Sequence, residues 1–209
     1  MRSAPVLVGL CGRSGSGKGY VSSLFLTHGI PAIDTDFVYR TLTSPAETLS
    51  PCMKELIGRF GESIRNSDNS LNRDEMRRRV FGGDTQVLND LNRITHHHIL
   101  LECERIVAEL YENGYRVILI DAPLLYESGF DRKCERVIVV TAPESVILKR
   151  IMERDGIGEK AAHGRLATQK SADALKKRAD YVIINDGQNT NLTADVRAIA
   201  EELKALAES

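Results

Sequence analysis

The sequence predicts an α/β fold: a three-layer, doubly wound parallel sheet of about five strands, interrupted by a helical insertion and closed by a basic segment. Three observations predict it. Short Val/Ile-rich runs without polar alternation are interleaved with amphipathic stripes, as buried parallel strands are interleaved with helices. A glycine-rich loop joins the first run to the first stripe. The stretch from about 45 to 113 carries helical pattern and no convincing strand.

Val6–Leu10 is the first strand. Val21, Leu24, Phe25 and His28 follow at i, i+3, i+4 spacing and stop at Gly29, with Pro31 just beyond, a helix that ends at a glycine cap. Ala32–Ile33 is a short strand before Asp34. Ile99, Cys103, Ile106 and Leu110 form a second stripe, ended by Asn113-Gly114. Val117–Ile120, Val137–Val140 and Tyr181–Ile184 are the remaining strands, and Val196, Ile199, Leu203 and Leu206 mark a last helix. The expected organisation is one domain over 1–209, with core segments 1–44 and 114–209, an insertion at about 45–113 and a lid at about 152–170.

A chain of 209 residues, 42% hydrophobic and 27% charged, is long enough for one well-buried core. Its net charge of −1 gives no global reason to expect nucleic acid or an anionic membrane as partner. The charge is unevenly spread. Lys149 to Arg178 holds nine Lys/Arg against four acids, a local +5, so the remainder carries −6. Such a stretch is either a solvated helix face or a mobile basic flap over an anionic ligand. Cys11, Cys52, Cys103 and Cys134 form no Cys-x-x-Cys and read as reduced structural thiols of a cytoplasmic protein. No signal-peptide pattern and no apolar run of about 20 residues is present. His96-His97-His98 invites a metal reading, but helical neighbours diverge by about 100° and cannot converge on one ion. Arg77-Arg78-Arg79 sits among Asp74, Glu75 and Asp84 and reads as a solvated face.

Gly12-Arg13-Ser14-Gly15-Ser16-Gly17-Lys18-Gly19 carries the chemistry. It supplies G-x-x-x-x-G-K directly after an apolar strand and directly before a helix. Glycines let the backbone wrap a phosphate with its N–H groups inward, the helix N-terminus adds positive potential, and Lys18 reaches the β/γ-phosphates. The pattern departs from its usual form at Gly19, where Ser or Thr would hold Mg²⁺, and Tyr20 follows. Gly19 leaves room for a water in place of the hydroxyl. Nucleoside monophosphate kinases resembling adenylate kinase share that glycine, so Mg²⁺ is expected here, held largely through water.

Past the second strand lies Asp34-Thr35-Asp36-Phe37-Val38-Tyr39-Arg40. In a helix starting near Asp36, Asp36 and Arg40 share a face. A carboxylate there can accept the proton of an attacking hydroxyl, and an arginine can hold a substrate phosphate. Either aspartate could instead cap the helix. Val117–Ile120 ends in Asp121, the pattern of a carboxylate that supports Mg²⁺ indirectly, through water.

Together these elements resemble the dephospho-coenzyme A kinase family of P-loop kinases over about 6–190. Gly9–Lys18 resembles the family's opening, and Asp34, Asp36 and Arg40 match its D-x-D-x-x-x-R. Leu91, Asn92 and His96 match L-N-x-x-x-H, with His97 where the family usually has proline. Pro123-Leu124-Leu125-Tyr126-Glu127 matches P-L-L-[FY]-E. Arg150–Gly156, with Arg165 and Gln169, matches the lid, and Ala179–Gly187 the last strand and the turn near the adenine. The resemblance implies ATP on Gly12, Gly15, Ser16, Gly17, Lys18, Gly19 and Tyr20, with Arg150, Asn185 and Gly187 around the nucleotide. It implies dephospho-CoA at Asp34, Asp36, Arg40, His96, Pro123, Leu124 and Glu127, with Asp36 as base and Lys18 and Arg150 as catalytic cations. Arg154, Arg165 and Gln169 would form the lid. The expected product is CoA, in a monomer or weak homo-oligomer. The rivals are another P-loop kinase, such as a nucleoside monophosphate kinase, and a non-catalytic nucleotide binder; the N-K-x-D element of a GTPase is missing.

Overall fold

The computed structural model describes residues 2–188 and 191–209. Five strands form one sheet: β1 (Val6–Gly12), β2 (Ala32–Asp34), β3 (Val117–Asp121), β4 (Arg136–Thr141) and β5 (Tyr181–Ile184), in the order β2-β3-β1-β4-β5. β1 runs parallel to β3 on one side and β4 on the other, and β4 runs parallel to β5. The central place of β1 explains its unbroken apolar run, because Val6, Val8 and Leu10 have no exposed surface and polar alternation would bury polar groups without partners.

Nine helices lie among the described residues: α1 (Lys18–Thr27), α2 (Thr35–Leu42), α3 (Pro51–Phe60), α4 (Arg73–Val80), α5 (Thr85–Glu112), α6 (Glu144–Asp155), α7 (Glu159–Ala167), α8 (Ala172–Lys176) and α9 (Leu192–Glu208). The stripes Val21/Phe25 and Val196/Ile199/Leu203 seat α1 and α9 in the same core as Val6, Val8, Leu119, Ile138 and Val140. Truncating the fully buried Phe25 to alanine would cost about 3–5 kcal/mol. The basic segment, whose helices the apolar pattern does not single out, folds as α6 to α8. Ile147 and Ile151 of α6 pack with Ala162 and Leu166 of α7.

The chain divides into two compact units. One comprises Met1–Ile33 with Val107–Ser209, the other Asp34–Ile106. The second unit has a core of its own, built on Cys52, Met53, Leu56, Phe60, Ile64, Leu71, Met76 and Ile94, with Tyr39 and Leu42 packed against it. Those two residues belong to α2, which is why the unit begins at Asp34 and not near 45. Its helix starts are legible locally. Ser50 Oγ accepts from the Met53 N–H at 3.1 Å ahead of Pro51, and Asn72 Oδ1 accepts from the Glu75 N–H at 3.0 Å, side-chain caps for otherwise unpaired donors.

Candidate active site

The phosphate loop lies in the first unit, between the end of β1 and the start of α1. Gly15 and Gly17 adopt φ of 81° and 84°, a region that favours glycine. A Cβ on Gly17 would lie 2.0 Å from Asn185 Nδ2, and one on Gly12 would lie 2.4 Å from the Val140 carbonyl oxygen. The loop is therefore closed to side chains from behind. Its carbonyls are held there too: Asn185 Nδ2 donates to Ser16 O at 3.1 Å, and Arg150 donates to the carbonyls of Gly15, Ser16 and Asn185 at 3.3, 3.4 and 2.9 Å. Gly17 offers no side-chain cap to α1; the Tyr20 and Val21 N–H groups donate to its carbonyl, while those of Lys18 and Gly19 at the helix start suit an anion. Ser16 is fully buried, and its Oγ has no hydrogen-bond partner among the described residues.

Lys18 opens α1 and forms an ion pair with Asp121 at the end of β3. Asp121 is buried, and the ion pair offsets part of the cost of burying its charge. A Cβ on the neighbouring Gly19 would meet nothing within 4 Å, and Tyr20 is exposed. Beneath the loop, burial pushes the Cys11 thiol up to about 12, so it stays protonated and is not a nucleophile at neutral pH.

The basic segment is fastened to the loop by Gln169 and Arg154, both expected in the lid, and by Arg13, to which motif reading gave no role. Gln169 Oε1 accepts from the Ser14 N–H at 2.9 Å, and Arg154 donates to Ser14 Oγ at 3.1 Å. Arg13, mostly buried, donates to the Leu166 carbonyl at 3.0 Å and lies 3.5 Å from Glu144. The lid arginines are mutually engaged as well: Arg154 and Arg165 both pair with Asp155, whose carboxyl is held below its usual range first by the Arg154 hydrogen bond. Nearby, Lys170 pairs with Glu127 at 3.0 Å and the Arg178 guanidinium stacks 3.8 Å from the Tyr126 ring centre. Pro123 and Leu124 are exposed, while Leu125 is buried below β1, where a Cβ on Gly9 would meet it at 2.6 Å.

In the second unit the two aspartates separate into different roles. Asp34 Oδ1 accepts from the N–H groups of Asp36 and Phe37 at 2.9 and 3.1 Å, so Asp34 is the cap of α2. Asp36, one turn before Arg40, is exposed, and neither side chain has a partner among the described residues. The 66% exposed Phe37 adjoins Asp36. His96 is half-buried on α5, and burial lowers its pKa, so it is neutral at pH 7. His98 bonds to Glu55 at 2.8 Å and has a structural partner. Arg77, Arg78 and Arg79 are taken up by Asp74 and Glu75.

The family model for dephospho-CoA kinase matches residues 6–191. The chain belongs to the dephospho-CoA kinase family. A dephospho-CoA kinase of Syntrophotalea carbinolica is 36% identical over 95% of this chain and 92% of its own length. One from Arabidopsis thaliana is 32% identical over 95% of this chain and 84% of its own. Among solved structures, a Thermus thermophilus protein aligns at TM-score 0.78 and 25% identity, covering 96% of this chain and 99% of that one. A dephospho-CoA kinase from Campylobacter jejuni aligns at TM-score 0.67 with 21% identity, covering 95% and 97%, a likeness of fold. For a member of the dephospho-CoA kinase family the donor set is informative. Among the described residues no group of three or more His, Cys, Asp or Glu is placed to hold a metal. One buried carboxylate and open space at Gly19 suit a hard cation bound mainly by phosphate oxygens and water. No helix among the described residues is long and apolar enough to cross a membrane.

Proposed function

We propose that this dephospho-CoA kinase family member transfers the γ-phosphate of ATP to the ribose 3′-hydroxyl of dephospho-CoA, giving CoA and ADP, the last step of CoA biosynthesis, in the cytoplasm. The observation that carries this reading is the phosphate loop with its Lys18–Asp121 pair, in a chain that matches the family along nearly its whole length. The N–H groups from Gly15 to Tyr20 hold the β- and γ-phosphates, and Lys18 exchanges Asp121 for phosphate oxygen. Asn185 and Gly187 border the adenine. Asp36 takes the proton of the 3′-hydroxyl as its oxygen bonds to phosphorus and the bond to ADP breaks. Arg40 holds the acceptor's phosphate, with His96, Pro123, Leu124 and Glu127 as further acceptor contacts, on helices that form the acceptor-binding insertion.

Arg150, Arg154 and Arg165, now held by carbonyls and Asp155, exchange those partners for phosphate oxygens when the lid, including Gln169, closes. Such arginines contribute roughly 10³–10⁵ in rate when well placed. Magnesium would be held at Asp121 through water and would supply neutralisation of the phosphate charge. The test is incubation with ATP, Mg²⁺ and dephospho-CoA, or separately AMP, CMP or UMP, with products identified by mass. Phosphorylation of dephospho-CoA alone, lost in Asp36→Asn, supports both substrate and base. Turnover of a nucleoside monophosphate instead would overturn the assignment.

A further inference from the structure

Among the described residues two buried side-chain polar atoms have no hydrogen-bond partner, and both belong to the phosphate loop: Ser16 Oγ and Arg13 Nε. Arg13 is the more costly of the two. Its side chain is 13% exposed, and a guanidinium is expensive to bury unless most of its N–H donors are met. Two contacts meet it here. Nη2 donates to the Leu166 carbonyl at 3.0 Å, and Nη1 lies 3.5 Å from Glu144, a carboxylate that is itself exposed. An apolar side chain of similar length would fill this place without that cost, so folding alone does not account for the charge.

What the guanidinium holds gives the charge a use. The Leu166 carbonyl lies in the turn that ends α7, where it also accepts from the Gln169 N–H at 3.1 Å, and a cation suits a helix C-terminus. Gln169 Oε1 in turn accepts from the N–H of Ser14, the residue after Arg13. Loop residues Arg13 and Ser14 and lid residues Leu166 and Gln169 thus close a ring of hydrogen bonds. Arg165 stands immediately before that ring, with its side chain paired to Asp155. Glu144 is the first residue of α6, the helix that carries Arg150 and Arg154, and α6 packs on α7 through the cluster that includes Leu166. Arg13 therefore touches both helices that bear the lid arginines. We propose that Arg13 is a positioning residue for phosphoryl transfer: without meeting the phosphates, it fixes the end of α7 against the loop, so that Arg165 reaches the transferring group in register. This rests on the reading of Arg165 as a lid cation, and adds a residue outside the lid that sets where that cation arrives. With the backbone pinned one residue away, Arg165 has only to leave Asp155 and swing its side chain. A misplacement of about 1 Å in such a group can cost a hundredfold in rate.

The test is a double-mutant cycle on the full chain with ATP, Mg²⁺ and dephospho-CoA. It uses Arg13→Met, Arg165→Gln and the two together, with Arg13→Lys as the conservative control. Arg13→Met is expected to lower kcat about tenfold to thirtyfold, with KM for dephospho-CoA within about twofold of wild type, and Arg13→Lys to recover part of the loss. Arg165→Gln is expected to lower kcat about a hundredfold or more. The double variant should be no more than about twofold slower than Arg165→Gln alone, because Arg13 then has no arginine left to position. A loss in the double variant equal to the product of the two single losses overturns the proposal; a side chain that serves stability alone gives that product. An unchanged kcat in Arg13→Met overturns it as well. Should Arg13→Met not fold, Arg13→Lys takes its place in the cycle and the same comparison decides. Arg165→Gln at the wild-type rate overturns the lid reading and this proposal with it. A wild-type protein that does not phosphorylate dephospho-CoA overturns the acceptor assignment itself, which the first arm shows before any variant is read.

Discussion

Lys18, the first residue of α1, and Asp121, the last residue of β3, form an ion pair across 103 positions of sequence. The pair holds the P-loop lysine at the end of the sheet where the phosphates would come. It also satisfies a carboxylate that is 6% exposed, which would be costly without its partner.

Asp121→Asn removes one charged partner of Lys18 without changing side-chain volume much. The variant should melt at a lower temperature than wild type. ATP without metal should raise its melting temperature by more than it raises that of wild type, because Lys18 no longer has to leave a carboxylate to reach phosphate. Equal ATP-induced shifts in the two proteins would show that the pair does not compete with nucleotide.

Gly19→Ser introduces a side chain where a Cβ meets nothing within 4 Å, inside the first turn of α1. Serine is a slightly better helix residue than glycine, by about 0.3–0.5 kcal/mol, and its hydroxyl can serve the metal directly. Activity should be retained and half-maximal activity reached at lower Mg²⁺. Complete loss of turnover would contradict the water-filled reading of this position.

Gln169→Ala removes the acceptor of the Ser14 N–H. One such bond is worth about 1 kcal/mol net. Backbone amides of α7 should exchange with solvent faster in the nucleotide-free protein, and KM for ATP should rise about threefold to tenfold. Exchange at the wild-type rate would mean that Arg13 and Arg154 suffice to fasten this segment.

Asp90→Asn addresses acid stability in the second unit. Arg59 bonds to the Asp90 carboxylate at 2.7 Å, and this hydrogen bond holds its pKa below the ordinary value of 3.8 against the opposing effect of burial. A carboxyl with a depressed folded pKa contributes stability that is fully present above its unfolded value and is lost as pH falls through the folded one. The variant should therefore melt below wild type at pH 7, by a gap that stays constant down to about pH 4 and closes below it. A gap that widens on acidification would reverse the sign of this argument.

Much of this molecule was legible in the residues alone. The strands could be read because a parallel sheet covered on both faces needs unbroken apolar runs such as Val6–Leu10, and α1 and α9 because their stripes face that sheet. The phosphate loop was legible because anion binding by backbone needs glycines at fixed spacing, and Gly12 and Gly17 prove to have no room for a Cβ. Asp36 and Arg40 were placed on one helical face by a period of 3.6 residues alone. Tertiary structure decided what no local rule contains. It assigned Asp34 to the helix cap while leaving the Asp36 carboxylate without a partner among the described residues. It brought Gln169 and Arg154 to Ser14, and Arg150 to the back of the loop. It drew Tyr39 and Leu42 into the core of the second unit, setting that unit's start at Asp34. Periodicity reports which face of an element is buried; which distant side chain meets that face is fixed only when the elements pack, because those contacts join residues whose spacing in sequence carries no signal.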